Sequence, residues 1–118
     1  MDQIFINDLV VKCIIGVNPE EREKSQEVII NLVLSVDLRQ AEKTDHLADT
    51  VSYSSLAKKV ISLVEGARRF TVEALAADIA ALCLEEEGVK RVRVRLEKPA
   101  ALPSARSAGV EIEREKGN

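Results

Sequence analysis

A chain of 118 residues has room for one compact domain and no second hydrophobic core. Apolar residues make up 46% of it and charged residues 31%, which excludes disorder, and no apolar run nears the roughly 20 residues of a membrane helix. A net charge of −3, with Phe5, Tyr53 and Phe70 as the only aromatic residues, argues against a nucleic-acid partner and predicts a core of Val, Ile, Leu and Ala.

The opening MDQIFIND has neither a basic region nor a cleavable apolar core, so no secretion leader is expected. Ile4, Ile6 and then Leu9 to Ile15 predict a β-strand with a bulge or bend at Asn7-Asp8, ended by Gly16. Asn18 to Gln26 is charged, carries Pro19 and reads as a connection. From Glu27 to Leu38 the alternation is clean: Val28, Ile30, Leu32, Leu34, Val36 and Leu38 share one face. Ile29 and Val33 on the other face indicate that it is partly covered as well.

Thr44 to Tyr53, TDHLADTVSY, is where the apolar period changes from two to three and four. Asp45, Asp49, Thr50 and Ser52 suit a polar connection, and Ser52 is placed to cap the helix that follows. That helix runs over Ser54 to Glu65 with Leu56, Val60, Leu63 and Val64 on one side, and Gly66 is expected to end it in the left-handed conformation. Thr71 is expected to cap a second helix bearing Val72, Leu75, Ala76, Ile79, Leu82 and Cys83, closed by Gly88.

Val89 to Leu96 returns to a period of two, with Arg91, Arg93 and Arg95 opposite Val92, Val94 and Leu96. A bend from Pro99 to Pro103 leads to a last strand over Ala108, Val110 and Ile112. The arginine row is expected to pair across strands with Glu111 and Glu113. The tail EREKGN, above all residues 115–118, is expected to fray.

The order ββααββ, without repeat or linker, predicts a single α+β domain over 1–118. Its four-stranded antiparallel sheet would carry two helices on one face. Uncovered sheet edges predict pairing with another subunit. Cys13 and Cys83 lie far apart, and with His46 as the one histidine they cannot furnish an ordinary zinc set. Both are expected to be small buried hydrophobes in a reducing cytoplasm, without metal or disulfide.

There is no Gly-rich phosphate loop, no Ser/His/Asp set and no metal-ligand spacing. Glu21, Tyr53, Glu73 and Lys98 stand where chemistry could occur, and each has a plain alternative. Glu21 can be a solvated acid of a charged connection, and Tyr53 a packed ring with a wet hydroxyl. Glu73 sits where a helix dipole favours a carboxylate, although its neighbours Val72, Ala74, Leu75 and Ala76 make its surroundings partly dry. Lys98 can be an exposed strand-end lysine.

Taken together, IFINDLVVKCIIGVNPEER, Gln26 before VIINLVLSVDL, TDHLADTVSY, VEALAADIA, LEKPAALPSA and GVEIER resemble the dihydroneopterin aldolase family from about Ile4 to Arg114. The resemblance implies the tunnelling fold, with four subunits closing their sheets into a barrel ring and two rings stacking into a homo-octamer. It implies a cytoplasmic aldehyde-lyase of folate synthesis that splits 7,8-dihydroneopterin into 6-hydroxymethyl-7,8-dihydropterin and glycolaldehyde, with neither metal nor cofactor. By motif, Lys98 in LEKP matches the catalytic lysine, and Tyr53 in DTVSY the proton-relaying tyrosine, reaching the site from a neighbouring subunit. Glu21 in GVNPEER, with Glu20 beside it, matches the acid that orients Lys98. Glu73 in VEALA matches the pterin anchor, and backbone groups near Val51 and Val72 complete the slot. The related dihydroneopterin phosphate epimerases share GVNPEE and KPAAL, and Arg68, Arg69 and Arg106 could serve a phosphate there. Lys98-Pro99 with GVEIER favours the aldolase. A pterin-binding oligomer without turnover is the non-enzyme alternative.

Overall fold

The computed structural model describes Met1 to Gly117. Two long strands open the chain, β1 (Asp2–Cys13) and β2 (Gln26–Val36), and two shorter ones close it, β3 (Arg91–Lys98) and β4 (Ala108–Glu115). All pair antiparallel in the order β1-β2-β3-β4, so β1 and β4 are the edges of this sheet. Between β2 and β3 come α1 (Arg39–Thr44), α2 (Tyr53–Gly66) and α3 (Val72–Glu85). Helix α2 packs over β1, and α3 over β3 and β4.

The period-two pattern of β2 becomes burial. Val28, Ile30, Leu32, Leu34 and Val36 lie within the core, while Ile29, Asn31, Val33 and Ser35 stay half-exposed on the other face. Leu56, Val60 and Val64 of α2 and Leu75, Ala76, Ile79, Ala80 and Cys83 of α3 meet them from above. Burying each large aliphatic side chain stabilises by about 1.5–3 kcal/mol, and the alanines of α3 let it approach closely. The side chains of Ser52 and Thr71 accept hydrogen bonds from Ser55 N (3.2 Å) and Ala74 N (3.2 Å), so both expected caps are in place.

The first strand shifts register between Ile6 and Leu9, with Asp8 at a φ of 56° and its N–H donated to Asn31 Oδ1 (2.9 Å). This is the bulge expected at Asn7-Asp8. On the face away from the helices, Arg91 lies opposite Glu115, Arg93 opposite Glu113 and Arg95 opposite Glu111. Arg91–Glu115 (2.6 Å) and Arg95–Glu111 (3.5 Å) are ion pairs, so the expected cross-strand pairing holds for Glu111, while Arg93 and Glu113 face each other in register without an ion pair among the described residues.

Three expectations are corrected. Strand β2 ends at Val36, and Leu38 is the residue that caps α1, because the Asp37 carboxylate accepts from both Arg39 N (3.0 Å) and the Arg39 guanidinium (2.7 Å) and so gathers the chain into a helical turn. Gly66 is the last helical residue rather than a left-handed cap: Ala67 follows in extended conformation, φ −78° and ψ 146°, and carries the chain straight off the helix. Strand β4 reaches Glu115 and Lys116 N donates to Lys90 O (2.9 Å), so the tail is held beyond its expected fraying point. The expectation for Asn118 falls outside the described residues.

Candidate active site

The loop between β1 and β2 turns Glu21 towards the end of β3. Pro19–Arg22 form a single helical turn, and Glu21 Oε1 accepts from Asn18 N (3.2 Å), the first of the bonds that aim its carboxylate inward. Gly16 stands directly beneath, at a φ of +124°, and a Cβ there would collide with the Glu21 carboxyl group. Only glycine suits that position, for backbone angle and for space. Gln26 Nε2 bridges Ile15 O (2.7 Å) and Glu21 Oε2 (3.0 Å), fixing the carboxylate from a second side.

Lys98 arrives from the end of β3. Alternation places it on the face of Val92, Val94 and Leu96, under the helices, and Glu97 on the opposite face. Its Nζ donates to Glu21 Oε2 at 2.9 Å, and both side chains are largely shielded, 14% and 21% exposed. Lys98 foremost, then Gln26 and Asn18, hold the Glu21 carboxyl down at about 2. Cys13, buried at the same end of the sheet opposite Gln26, has its thiol pushed up by burial, against a smaller opposing pull from the Lys98 charge.

Glu97 is the buried acid that the sequence reading missed. On the far face it accepts from Ser107 Oγ (2.6 Å) and Arg106 Nη2 (3.1 Å), with Arg95 at 3.8 Å. The Ser107 hydrogen bond, ahead of the two arginines, keeps its carboxyl low. These contacts tie the β3–β4 loop to the strand that presents Lys98. Arg106, noted in sequence as a residue for a phosphate, donates to Glu97 here.

Val72 and Glu73 start α3 at the same end as Glu21 and Lys98. Arg22, next to Glu21, donates to Arg68 O (2.6 Å) and Arg69 O (3.0 Å) in the segment that leads into α3. Glu73 is exposed on the first turn, rather than in the partly dry setting that its apolar neighbours suggested.

Tyr53 and Val51 lie elsewhere. Val51 is buried beside Gly88, where its Cγ2 comes within 3.5 Å of the place a Cβ would take, near the opposite end of the sheet. Tyr53 begins α2 there, 62% exposed. The eight residues of β3 separate the two ends by roughly 20–25 Å. One chain thus brings together Lys98, Glu21, Gln26 and the start of α3, but not Tyr53 or Val51. Among the described residues, no three His, Cys, Asp or Glu side chains are grouped to hold a metal ion.

Known proteins match almost the whole of the chain. The family model described as FolB, dihydroneopterin aldolase, matches residues 4–113. The dihydroneopterin aldolase of Escherichia coli K12 is 40% identical over 114 residues, covering 97% of this chain and 93% of that protein. The folic acid synthesis protein FOL1 of Dictyostelium discoideum is 44% identical over 114 residues, 97% of this chain but only 17% of that longer protein. Among solved structures, the Escherichia coli dihydroneopterin aldolase in complex with neopterin superimposes with a TM-score of 0.93 at 40% identity, covering 97% of this chain and 99% of that one. The Burkholderia thailendensis enzyme bound to guanine does so with a TM-score of 0.83 at 31% identity, covering 98% and 92%.

Proposed function

This chain belongs to the dihydroneopterin aldolase family and is an aldehyde-lyase of folate synthesis, and we propose that it splits 7,8-dihydroneopterin with Lys98 and Glu21 as its acid–base pair. The observation that carries the assignment is the shielded contact of Lys98 Nζ with Glu21 Oε2 at 2.9 Å, beside the start of α3. In the reaction, the side-chain hydroxyl next to the breaking bond loses its proton and becomes the carbonyl of glycolaldehyde. The carbon–carbon bonding pair moves into the ring C=N. The side-chain carbon left on the ring then takes a proton, giving 6-hydroxymethyl-7,8-dihydropterin. Because the dihydropterin is its own electron sink, the protein supplies orientation and proton transfer, and neither a metal nor a lysine imine is needed.

Glu73 anchors the pterin. A carboxylate accepts two parallel N–H bonds from an aminopyrimidine edge, and neopterin and guanine, the ligands of the two solved relatives, both present that edge. Backbone groups near Val72, and those near Val51 of a neighbouring subunit, close the slot around the ring. Tyr53 relays a proton to the site of a neighbouring subunit, a role supported by its distance from Lys98 within one chain. The open edges β1 and β4 support closure of four subunits into a ring, with two rings forming an octamer in the cytoplasm. Incubating the protein with 7,8-dihydroneopterin in the presence of a chelator tests the reading. Glycolaldehyde release is expected, and its absence from folded oligomer would overturn it.

A further inference from the structure

Arg22 joins two segments that carry different halves of the site. Its Nη1 donates to Gly16 O (3.0 Å) and Arg69 O (3.0 Å), and its Nη2 to Arg68 O (2.6 Å). The guanidinium stacks over Phe70 at 4.0 Å from the ring centroid, and Arg68 Nη2 returns a bond to Arg22 O (3.2 Å). On one side of this fork lies Gly16, which seats Glu21, and Arg22 follows Glu21 directly in the chain. On the other lies the segment entering α3, itself tied to that helix by the Arg69–Asp78 ion pair (2.8 Å). We infer that Arg22 is a positioning residue, setting the spacing between the Glu21–Lys98 pair and the start of α3.

The inference rests on the site assignment above, in which Glu73 holds the pterin and Lys98 moves the proton. A planar fork with donors at fixed angles can span carbonyls of two segments and stack on a ring at once, which a lysine ammonium cannot. Arg22 touches neither reacting group, so its removal leaves each half intact and moves one relative to the other. Displacements of about 1 Å between a bound substrate and its catalytic group cost on the order of 100-fold in rate.

The test is Arg22→Gln, read by kcat, by product-pterin titration and in a cycle with Lys98→Ala. We expect kcat to fall about 10–100-fold while product affinity stays within about threefold, and no further loss when Lys98 is already absent. A merely stabilising residue would lower the melting temperature and leave that split and that non-additivity unseen. If folded Arg22→Gln keeps kcat within about threefold of wild type, or its penalty multiplies in full with that of Lys98→Ala, the positioning role is overturned. Should Arg22→Gln not fold, Arg22→Lys takes its place under the same criteria. Glu73→Ala and Lys98→Ala measured singly report on the site assignment. If they fail to separate binding from turnover, the assignment falls and takes this role with it; if they separate while Arg22→Gln is inert, the positioning role alone falls.

Discussion

Glu21 and Lys98, 77 positions apart in the chain, meet at 2.9 Å where the β1–β2 loop folds under the end of β3. Two elements distant in sequence are joined there by one charge-assisted hydrogen bond, shielded enough to resist screening by salt.

The pair makes a definite contribution to stability as a function of pH. The Glu21 carboxyl is held at about 2, below its ordinary value of 4.5. A carboxyl depressed in the fold stabilises it above the unfolded value, and that stabilisation fades as pH falls from about 4.5 towards about 2. Glu21→Gln should therefore be less stable than wild type by a constant margin above pH about 5, with the gap narrowing below it. Denaturant titrations of both proteins between pH about 3 and 7 check this. A gap that widens as the solution is acidified would show that Glu21 is not held low by this pair.

Gly16 should tolerate no side chain. Its φ of +124° and the Glu21 carboxyl lying against it both oppose a Cβ. Gly16→Ala is expected to lose about 1–3 kcal/mol of stability and to displace Glu21 from Lys98, lowering kcat to the extent that Glu21→Ala is itself expected to lower it. Unfolding midpoints and kcat for both variants decide it. A Gly16→Ala enzyme with wild-type kcat would mean that the Glu21 placement does not matter to turnover.

Where the fold was legible in sequence, local physics decided it. The alternation of Val28 to Val36 and the caps Ser52 and Thr71 depend on residues close together in the chain, and the bulge at Asn7-Asp8 was visible as a polar break in the apolar pattern. Helix α1 was hidden because RQAEKT has almost no apolar stripe and is started by the Asp37–Arg39 contact rather than by packing. Gly66 misled because glycine permits the left-handed conformation without requiring it. At the site, the residue types were legible through motif resemblance, but their relations were not. Nothing in periodicity couples Arg22 to the carbonyls of Arg68 and Arg69, or Glu97 to Ser107, since each bond depends on how distant loops meet. Alternation places Glu97 on the exposed face with Arg91, Arg93 and Arg95, so nothing in the sequence signals its burial, which comes from Ser107 and Arg106 of the following loop.

The separation of Tyr53 from Lys98 along the sheet predicts shared sites. Tyr53→Phe and Lys98→Ala should each be impaired alone. After subunit exchange, an equal mixture should place both wild-type residues in about a quarter of the sites and recover activity in that proportion. Mass measurement by light scattering and activity on the exchanged mixture are the readouts. Proven exchange without recovery would require Tyr53 and Lys98 to act within one chain, against the span of β3 between them.

Glu73 and Lys98 should separate binding from chemistry. The contacts of Glu73 with the pterin edge are made equally in the ground state and the transition state, so Glu73→Ala should raise KM and weaken product binding by about 2–5 kcal/mol, more than one neutral hydrogen bond is worth. Lys98 acts only when protons move. Lys98→Ala should therefore keep pterin affinity and lose about 10²–10⁴-fold in kcat, the usual share of a positioned acid–base group. Fluorescence titration with the product pterin and steady-state kinetics on both variants give the two signatures side by side. Glu73 is exposed in the isolated chain and begins a helix whose dipole alone would favour a carboxylate. That alternative makes its own forecast: Glu73→Ala would lose a few tenths of a kcal/mol of stability, about 0.3–1, and bind pterin as tightly as wild type. Unchanged affinity would thus reduce Glu73 to a helix-start residue and leave the pterin anchor to be found elsewhere on the slot.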